Sequence, residues 1–480
     1  MNFNSVEFLI FFPIVALLNF VVPTKYRYIP LLIASYYFYM SWSANLVFLI
    51  LFTTAVSYAS GILIEKKPEH KKLWMVLSLA ASLAVLFFFK YYNFLAGSVG
   101  GLLSLAGVET DLTLNLILPV GISFYTFQTL SYSIDVYRGD IKAERNFFYY
   151  ALFVSFFPQL VAGPIERPTN LLPQLREEHK PNASDFTIGA KRMLAGFFKK
   201  IVVADTAAVY VNAVFNNPTE ASGAAIALTS ALFAVQIYCD FSGYTDIAIG
   251  CGRIMGYRLM QNFDRPYSAE NIKNFWDRWH ISLSSWFKDY LYIPLGGNRR
   301  GRGMQMRNLF IVFLVSGLWH GADWTFVLWG VLHGVYRLMG MITFKKREEL
   351  YAKAGIDTKS TPVRIWRRAV TFVMVCFAWI FFRANNTSEL LILLKRLFTT
   401  FDLAALPGQI GLTLNGTLIL IFAIALMVLI DRRFTLPEYT TPDGAVMQGG
   451  VSIYLLWAVL FAWLILLAGD GSSAFIYFQF

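Results

Sequence analysis

The sequence predicts an all-α, polytopic membrane protein, and three observations support this prediction. Of the 480 residues, 56% are hydrophobic and only 15% are charged, whereas soluble globular domains usually carry about 25% charged residues. Apolar runs recur along the whole chain, some of them close to the length of about 20 residues that a spanning helix needs. No polar stretch is long enough to form a separate soluble domain. We therefore expect one integral membrane domain over residues 1–480.

Thirteen apolar segments are candidates for membrane-spanning helices. Several are short or contain Gly and Pro, and we expect these to tilt, break or re-enter the bilayer. The segments therefore predict about 11 true spans plus re-entrant or interfacial helices. The first segment lacks the basic region and cleavage site of a signal peptide and is expected to be retained. The candidates are 5–23, 28–41, 44–64, 73–91, 114–134, 147–163, 187–215, 224–255, 308–320, 323–343, 367–383, 411–430 and 451–469.

The basic residues are concentrated in short loops between the apolar segments. This distribution is typical of cytoplasmic loops under the positive-inside rule. It accounts for the net charge of +11 without a nucleic-acid partner, which we do not expect. Counting spans between the basic loops places both termini outside the cytoplasm, together with the loop near Glu109 and Asp111.

The cysteines and the metal-ligating residue types do not form a recognisable site. Cys239, Cys251 and Cys376 lie in apolar surroundings without CxxC spacing, which indicates buried side chains rather than disulfides or a zinc centre. No cluster of histidines and carboxylates has the spacing of a metal site. We therefore expect no bound metal.

Five histidines occur, and three of them lie in or beside apolar segments. His70 and His179 lie in polar loops and are expected at the surface. His280, His320 and His333 matter more, because ionisable groups at membrane depth are costly and usually face a cavity. For His333 we expect packing in the core.

His320 lies at the end of a predicted helix that begins near Asn308. About 12 residues at 1.5 Å each carry the chain roughly 18 Å from the cytoplasmic face, and the chain then turns at Gly321. A buried imidazole tends to stay neutral, and a neutral imidazole is what a general base requires. The alternative is a histidine that only hydrogen-bonds a neighbouring helix.

His280 lies in segment 262–304, which is rich in Trp, Arg, Asp and Tyr. On one continuous helix Trp276, Trp279 and His280 would share a face, while Asp277 and Arg278 would point elsewhere, to salt bridges. Such a segment could also be an interfacial helix anchored by its aromatic residues. The two glycines at its end precede a basic cluster, where backbone amides and arginines could hold phosphates. The cluster comprises Arg299, Arg300 and Arg302.

Seven short motifs follow one another along the chain. They are 119–127 (PVGISFYTF), 134–138 (IDVYR), 157–165 (FPQLVAGPI), 238–246 (YCDFSGYTD), 279–284 (WHISLS), 289–298 (DYLYIPLGGN) and 317–321 (GLWHG). Together they resemble the membrane-bound O-acyltransferase (MBOAT) family, in particular its bacterial branch. That branch includes the membrane subunits of alginate and peptidoglycan O-acetylation and the D-alanyl transfer protein of teichoic acid. The resemblance covers residues 5–345, and residues 346–480 are less distinctive.

The resemblance implies helices around a central tunnel, in a multi-pass protein of the bacterial cytoplasmic membrane. It makes His320 the catalytic histidine and His280 the second functional histidine. It also implies acetyl-CoA as the acyl donor, with no bound cofactor, and an acetyl group passed outward for O-acetylation of a polysaccharide. Because CoA is polyanionic, the basic cluster is its expected entrance. The candidate substrate-binding residues are Trp279, Trp319, Asp289, Tyr290, Asn298, Arg299 and Arg300.

The aromatic tail 475–480 (FIYFQF) supports two interpretations. It could anchor the chain at the membrane interface. The D-alanyl transfer system carries a similar ending on a separate small partner, and this likeness makes Tyr477 a candidate acyl carrier. The implied recipient is an extracytoplasmic SGNH-type acetyltransferase or another polysaccharide-modification protein, with membrane lipids as the surroundings.

Two other functions fit the same composition. One is direct acyl transfer to a membrane lipid or protein, for which a long-chain donor would need an opening toward the lipid. The other is a transporter for lipid-linked saccharides, which predicts inverted repeats and broken, charge-lined helices. The sequence has no obvious repeat.

Overall fold

The computed structural model describes residues 1–160, 163–411, 413–434, 457, 460, 461 and 463. In that part of the chain the regular structure is helical and contains no strand. This confirms the all-α prediction.

Six helices of the described chain are long and apolar enough to cross a membrane, and the shorter helix Val6–Val21 is also apolar. This supports a multi-pass membrane protein, while the number of about 11 spans stays a prediction. The six candidate spans are Ala44–Lys66, Pro68–Leu105, Gly223–Ile254, Trp324–Lys353, Thr361–Arg383 and Leu414–Arg432.

The described residues form two compact units. Unit 1 comprises Met1–Leu194 and Tyr244–Met260. A π-helical segment, Phe87–Tyr91, joins two of its helices. Its helices are α1 (Val6–Val21), α2 (Tyr28–Met40), α3 (Val47–Lys66), α4 (Lys71–Leu86), α5 (Tyr92–Leu105), α6 (Ile122–Arg138), α7 (Phe147–Ser155), α8 (Phe157–Leu160), α9 (Pro168–Arg176) and most of α10 (Ala183–Phe197).

Unit 2 comprises Ala195–Gly243 and the described residues from Gln261 onward. It contains two further π-helical segments, Phe198–Ala204 and Lys288–Tyr292. Its helices are α11 (Asp205–Phe215), most of α12 (Gly223–Ile254), α13 (Ile272–Trp276), α14 (Ile281–Phe287), α15 (Arg302–His320), α16 (Trp324–Lys353), α17 (Thr361–Arg383), α18 (Thr387–Thr399), α19 (Leu406–Ile410) and α20 (Leu414–Phe434).

Two predicted spans are shorter or more broken than the apolar pattern suggested. The predicted helix 114–134 begins only at Ile122, because Pro119 disfavours helix in the preceding residue and Gly121 adopts a left-handed φ of 73°. The predicted helix 147–163 is interrupted at Phe156. Pro158 lacks the N–H that would continue the hydrogen-bond ladder of α7.

Helix α18 is absent from the predicted spans. It buries Leu390 and Leu393 on one face, and its first turn is capped by the side chain of Asn386, which accepts from the Glu389 N–H. This helix is short and amphipathic. Its apolar residues lie on one face and do not form an apolar run of membrane length, so the sequence pattern does not indicate it as a span.

A cluster of buried ionic side chains, here called the ion network, lies within unit 2. Lys200, in the π-helical segment Phe198–Ala204, pairs with Asp240 of α12 at 2.6 Å and with Asp205 at 2.8 Å. The neighbouring Lys199 pairs with Asp431 of α20 at 2.5 Å. The hydroxyl of Tyr238 donates to Asp431, also at 2.5 Å. These bonds connect three stretches of the chain that are far apart in sequence.

Candidate active site

Helices α15 and α16 form a tight hairpin, and His320 is the last residue of α15. Gly321 follows in an extended conformation. The side chain of Asp323 then accepts from the Thr325 N–H at 2.8 Å and caps α16. The predicted turn at Gly321 is therefore confirmed. Helix α15 begins at Arg302, earlier than the predicted start near Asn308.

Two glycines allow the helices of this hairpin to pack closely. A Cβ on Gly317 would collide with the backbone oxygen of Phe326 and would lie 3.1 Å from the Cα of Gly330. A Cβ on Gly330 would lie 2.5 Å from the backbone oxygen of Phe313. Small residues permit such backbone contact between membrane helices. Because Gly317 precedes His320 by three residues, this contact fixes the position of the histidine.

The His320 side chain is buried, with 2% of its surface exposed, and it is surrounded by aromatic rings. The ring of Trp319 lies 5.0 Å from it, that of Trp329 also 5.0 Å, and that of Phe382 5.5 Å, measured between centroids. We call the space within these rings the aromatic enclosure. His280 is the other histidine in it, with its ring centroid 6.4 Å from that of His320. The structure thus brings together the two histidines identified in the sequence.

The chain around His280 is not one continuous helix, so the predicted shared face of Trp276, Trp279 and His280 is wrong. Helix α13 ends at Trp276, and α14 begins only after His280. His280 itself has a φ of 45°, in the left-handed region that non-glycine residues rarely occupy. As expected, Asp277 and Arg278 form salt bridges.

Hydrogen bonds from segment 262–264 keep residues 278–281 out of helical geometry. The Ile281 N–H donates to the backbone oxygen of Asn262 at 2.9 Å, and the Asp264 N–H donates to the backbone oxygen of Arg278 at 3.0 Å. The Asn262 side chain lies beside the His280 imidazole, with Oδ1 and Nδ1 3.1 Å apart. These bonds hold His280 in its strained conformation.

His280 is fully buried and is packed mainly by aromatic groups. Its ring lies 4.7 Å from Phe241 and 5.8 Å from Trp319 between centroids. Burial lowers the pKa of His280 well below its usual value, because a charged imidazolium would lose its hydration. The imidazole is therefore neutral, as a proton acceptor must be.

The other buried histidine, His333, packs in the core as expected. Its Nδ1 accepts a hydrogen bond of 3.2 Å from the indole N–H of Trp276. Its ring also lies 4.8 Å from that of Trp329. His179, which was expected at the surface, is instead half-buried against Tyr257, with ring centroids 4.4 Å apart.

The basic cluster after α14 forms an exposed turn rather than part of the aromatic enclosure. Asn298, Arg299 and Arg300 are all exposed. The buried side chain of Asn308 donates to the backbone oxygens of Leu295 and Gly297, at 3.2 and 2.9 Å, and fixes the turn. The guanidinium groups are therefore accessible to an anionic ligand.

The remaining candidate site residues lie in different surroundings. Trp279 is buried and packs against Trp379, with ring centroids 5.2 Å apart. Asp289 and Tyr290 are half-buried in the π-helical segment after α14. Tyr477 and the tail 475–480 lie outside the described residues.

The cysteines are all buried and free, as expected. Among the residues that the structure describes, no group of three His, Cys, Asp or Glu side chains could hold a metal ion.

Sequence reasoning missed four residues of the enclosure: Asn262, Trp329, Trp379 and Phe382. Trp329 had a usable signal, because it precedes His333 by four residues on one helix and so shares its face. Asn262 had none, since its contacts depend on how segment 262–264 packs against 278–282.

Comparison with known proteins identifies the family. Residues 141–387 match the model of the membrane-bound O-acyltransferase family, and this range contains His280, His320 and His333. The chain is 41% identical to the probable alginate O-acetylase AlgI of Pseudomonas syringae over 80% of its length and 73% of the relative's. It is 37% identical to the probable alginate O-acetylase AlgI of Pseudomonas putida over the full length of both chains.

A third relative is named for a different polymer. The peptidoglycan O-acetyltransferase of Helicobacter pylori is 36% identical over 82% of this chain and 79% of its own length. All three similarities extend well beyond the histidine motifs. The chain therefore belongs to the membrane-bound O-acyltransferase family and is an acyltransferase.

Proposed function

We propose that this protein takes an acetyl group from cytosolic acetyl-CoA and passes it across the cytoplasmic membrane for O-acetylation of a cell-envelope or exported polysaccharide. The observation that carries the proposal is the buried pair His280 and His320 inside one aromatic enclosure. Relatives named for alginate and peptidoglycan O-acetylation support the acetyl group and the class of polymer.

In the proposed reaction His320 is the general base. It removes the proton from an acceptor hydroxyl as the oxygen bonds to the thioester carbonyl carbon. The carbon–sulfur bond then breaks, and the CoA thiolate takes up the proton. The surrounding rings of Trp319, Trp329 and Phe382 keep water away from the thioester, which would otherwise be hydrolysed.

The exposed turn at Arg299 and Arg300 is the proposed entrance for CoA. Guanidinium groups bind phosphate oxygens through charge-assisted hydrogen bonds. Both arginines are exposed, and Asn308 holds the turn that presents them. The loop-charge pattern predicts the cytoplasmic side for the same turn, where CoA is available.

Turnover of labelled acetyl-CoA by the purified protein in lipid nanodiscs tests the enzymatic proposal. Wild type should release CoA and transfer the label to an acceptor. His320→Ala should lower the rate by about 10²–10⁴-fold, the usual contribution of a general base. His70→Ala is the matched control, because His70 is an exposed histidine and its removal should leave the rate unchanged.

Two outcomes would contradict this proposal. One is the absence of acetyl transfer by the wild type. The other is a normal rate in a folded His320→Ala variant. Label found on a membrane lipid or on another protein, rather than on a saccharide, would favour the direct acyltransferase alternative.

The second part of the proposal concerns Tyr477, which we expect to carry the acetyl group to an extracytoplasmic SGNH-type transferase. Its support is the likeness of the tail 475–480 to the ending of the D-alanyl partner. Tyr477→Phe should abolish acetylation of the polymer while the protein remains inserted. Phe478→Leu, which removes a ring but no hydroxyl from the same tail, is the control. Polymer acetylation by Tyr477→Phe would refute the carrier role.

A further inference from the structure

We propose that Asn262 is a positioning residue that fixes His280 in the tautomer with its proton on Nδ1, so that Nε2 is the nitrogen available to the substrate. This inference rests on the proposed function only for the catalytic use of the site that contains His280 and His320. The tautomer itself follows from the hydrogen bonds around the Asn262 side chain.

The orientation of the Asn262 amide is determined by its neighbours. The backbone N–H of Ser282 points at the amide atom assigned as Oδ1, at 3.3 Å, and the Ser282 hydroxyl lies 2.8 Å from the same atom. A backbone N–H can only donate, so the atom facing it must be the amide oxygen and not the nitrogen. The flipped orientation would set two donors against each other.

The same oxygen determines the state of the His280 ring. Nδ1 of His280 lies 3.1 Å from Asn262 Oδ1. Since an amide oxygen only accepts, Nδ1 must carry the hydrogen. In a neutral imidazole the other nitrogen then has a lone pair and no proton. Nε2 of His280 is thereby left as an acceptor.

The surroundings of Nε2 agree with a functional role. This nitrogen is buried and has no hydrogen-bond partner among the residues that the structure describes. His280 also keeps a φ of 45°, which is strained for a residue with a Cβ. Buried polar atoms without partners and strained backbone are each uncommon, and both are features of binding and catalytic sites.

Asn262 also holds the backbone that directly follows His280. It accepts from the Ile281 N–H through its backbone oxygen and from the Ser282 N–H through its side chain. One residue thus fixes the direction of the His280 side chain and its protonation. In the proposed reaction His320 deprotonates the acceptor hydroxyl. His280 takes part through Nε2, which accepts a hydrogen bond from an N–H or O–H group of the acyl donor while Nδ1 stays bonded to Asn262.

Nitrogen NMR of the full-length protein with ¹⁵N-labelled histidine tests the tautomer directly. The chain contains five histidines, and the signals missing from His280→Asn identify those of His280. We expect a protonated Nδ1 and an unprotonated Nε2 in the wild type. A protonated Nε2 would overturn the inference without any need for Asn262 variants.

Variants of Asn262 test whether it determines the tautomer. Asn262→Leu has a similar volume but no acceptor, and it should lose the Nδ1–H signature and lower turnover by roughly 10–100-fold, as supporting groups behind a site do. Asn262→Asp keeps an acceptor oxygen and should restore the signature and part of the turnover. Ser285→Ala is the control, because the Ser285 hydroxyl donates to the Ser282 backbone oxygen at 2.9 Å and, in the part of the chain that the structure describes, makes no bond to Asn262 or His280; this variant should match wild type.

The outcomes separate this inference from the proposed function. A folded Asn262→Leu variant with the Nδ1–H signature and normal turnover would refute the positioning role, even if wild type transfers acetyl groups. If the signature depends on Asn262 but wild type transfers no acetyl group, the positioning role stands and the proposed function fails. If Asn262→Leu does not fold, the wild-type spectrum still decides the tautomer. In that case, loss of the Nδ1–H signature in a folded Asn262→Asp variant would refute the positioning role.

Discussion

The histidine site, formed by His280, His320 and Asn262, and the ion network are both buried polar centres of unit 2, but they satisfy their polar groups in opposite ways. In the ion network Lys200 lies between two carboxylates. In the histidine site burial lowers the pKa of His280, and Nε2 of this ring has no hydrogen-bond partner among the described residues. The first centre joins helices, whereas the second keeps an acceptor available.

The difference follows from the cost of burying charge. An ion taken out of water must be compensated by opposite charge and hydrogen bonds, or it destabilises the fold. A neutral imidazole has a much smaller desolvation cost, so a ring nitrogen can be buried without a protein partner. Helix α12 contributes to both centres through consecutive residues, with Asp240 in the ion network and Phe241 against the His280 ring.

The largest predicted effect on stability comes from breaking the ion network. Lys200→Met removes the cation between Asp240 and Asp205. The two buried carboxylates then lose the positive charge that compensates them. Such a change typically costs about 3–5 kcal/mol. We expect a large fall in the thermal unfolding midpoint, measured in detergent by tryptophan fluorescence. His320→Ala should mainly lower turnover in the same preparations.

A compensating variant controls for the loss of side-chain packing. Lys200→Met combined with Asp240→Leu removes the charge and one of its partners together, and it should recover part of the lost stability. If Lys200→Met unfolds at the wild-type temperature but has lost turnover, the ion network belongs to the catalytic machinery and the contrast between the two centres is wrong.

The sequence predicted the histidine site more completely than the ion network. His320 could be placed because its helix, the turn at Gly321 and the returning helix are local features of the chain, and the structure has the same turn. Lys199 and Lys200 lie inside the predicted span 187–215, where nothing local shows which carboxylates they meet. Their partners Asp240 and Asp431 follow at long separations in sequence.

The surroundings of His280 show the same limit. The motif that contains His280 predicted a functional histidine. The expected helix failed because hydrogen bonds from segment 262–264 compete with helical ones. Such competition depends on tertiary packing, which single-chain patterns do not contain. The role of Asn262 could therefore be recognised only from the structure.

A smaller effect is expected at His333, the third buried histidine. His333→Phe leaves the indole N–H of Trp276 without its acceptor, which costs about 1–3 kcal/mol for a buried donor. The unfolding midpoint should fall, while turnover per folded molecule should stay near wild type. In the double variant with Trp276→Phe both partners are absent, so part of the loss should be recovered. A large loss of turnover at unchanged stability would instead place His333 in the histidine site.

The smallest effect concerns an ion pair that is not deeply buried. Glu270 accepts hydrogen bonds from Arg364 at 2.9 Å and from Arg368 at 3.2 Å. The bond from Arg364 is the main reason that the pKa of Glu270 lies below its usual value. Glu270→Gln should cost only about 0.2–1 kcal/mol, because solvent screens accessible pairs.

The pH dependence of this pair has a definite sign. A carboxyl group whose pKa is lower in the folded state stabilises the fold above its unfolded pKa, and this stabilisation is lost as the pH falls through the folded pKa. The difference in unfolding midpoint between wild type and Glu270→Gln should therefore be present near pH 7 and vanish in acid. Added salt should also reduce it. A difference as large as that of Lys200→Met, and insensitive to salt, would show that burial is not what separates the ion network from accessible pairs.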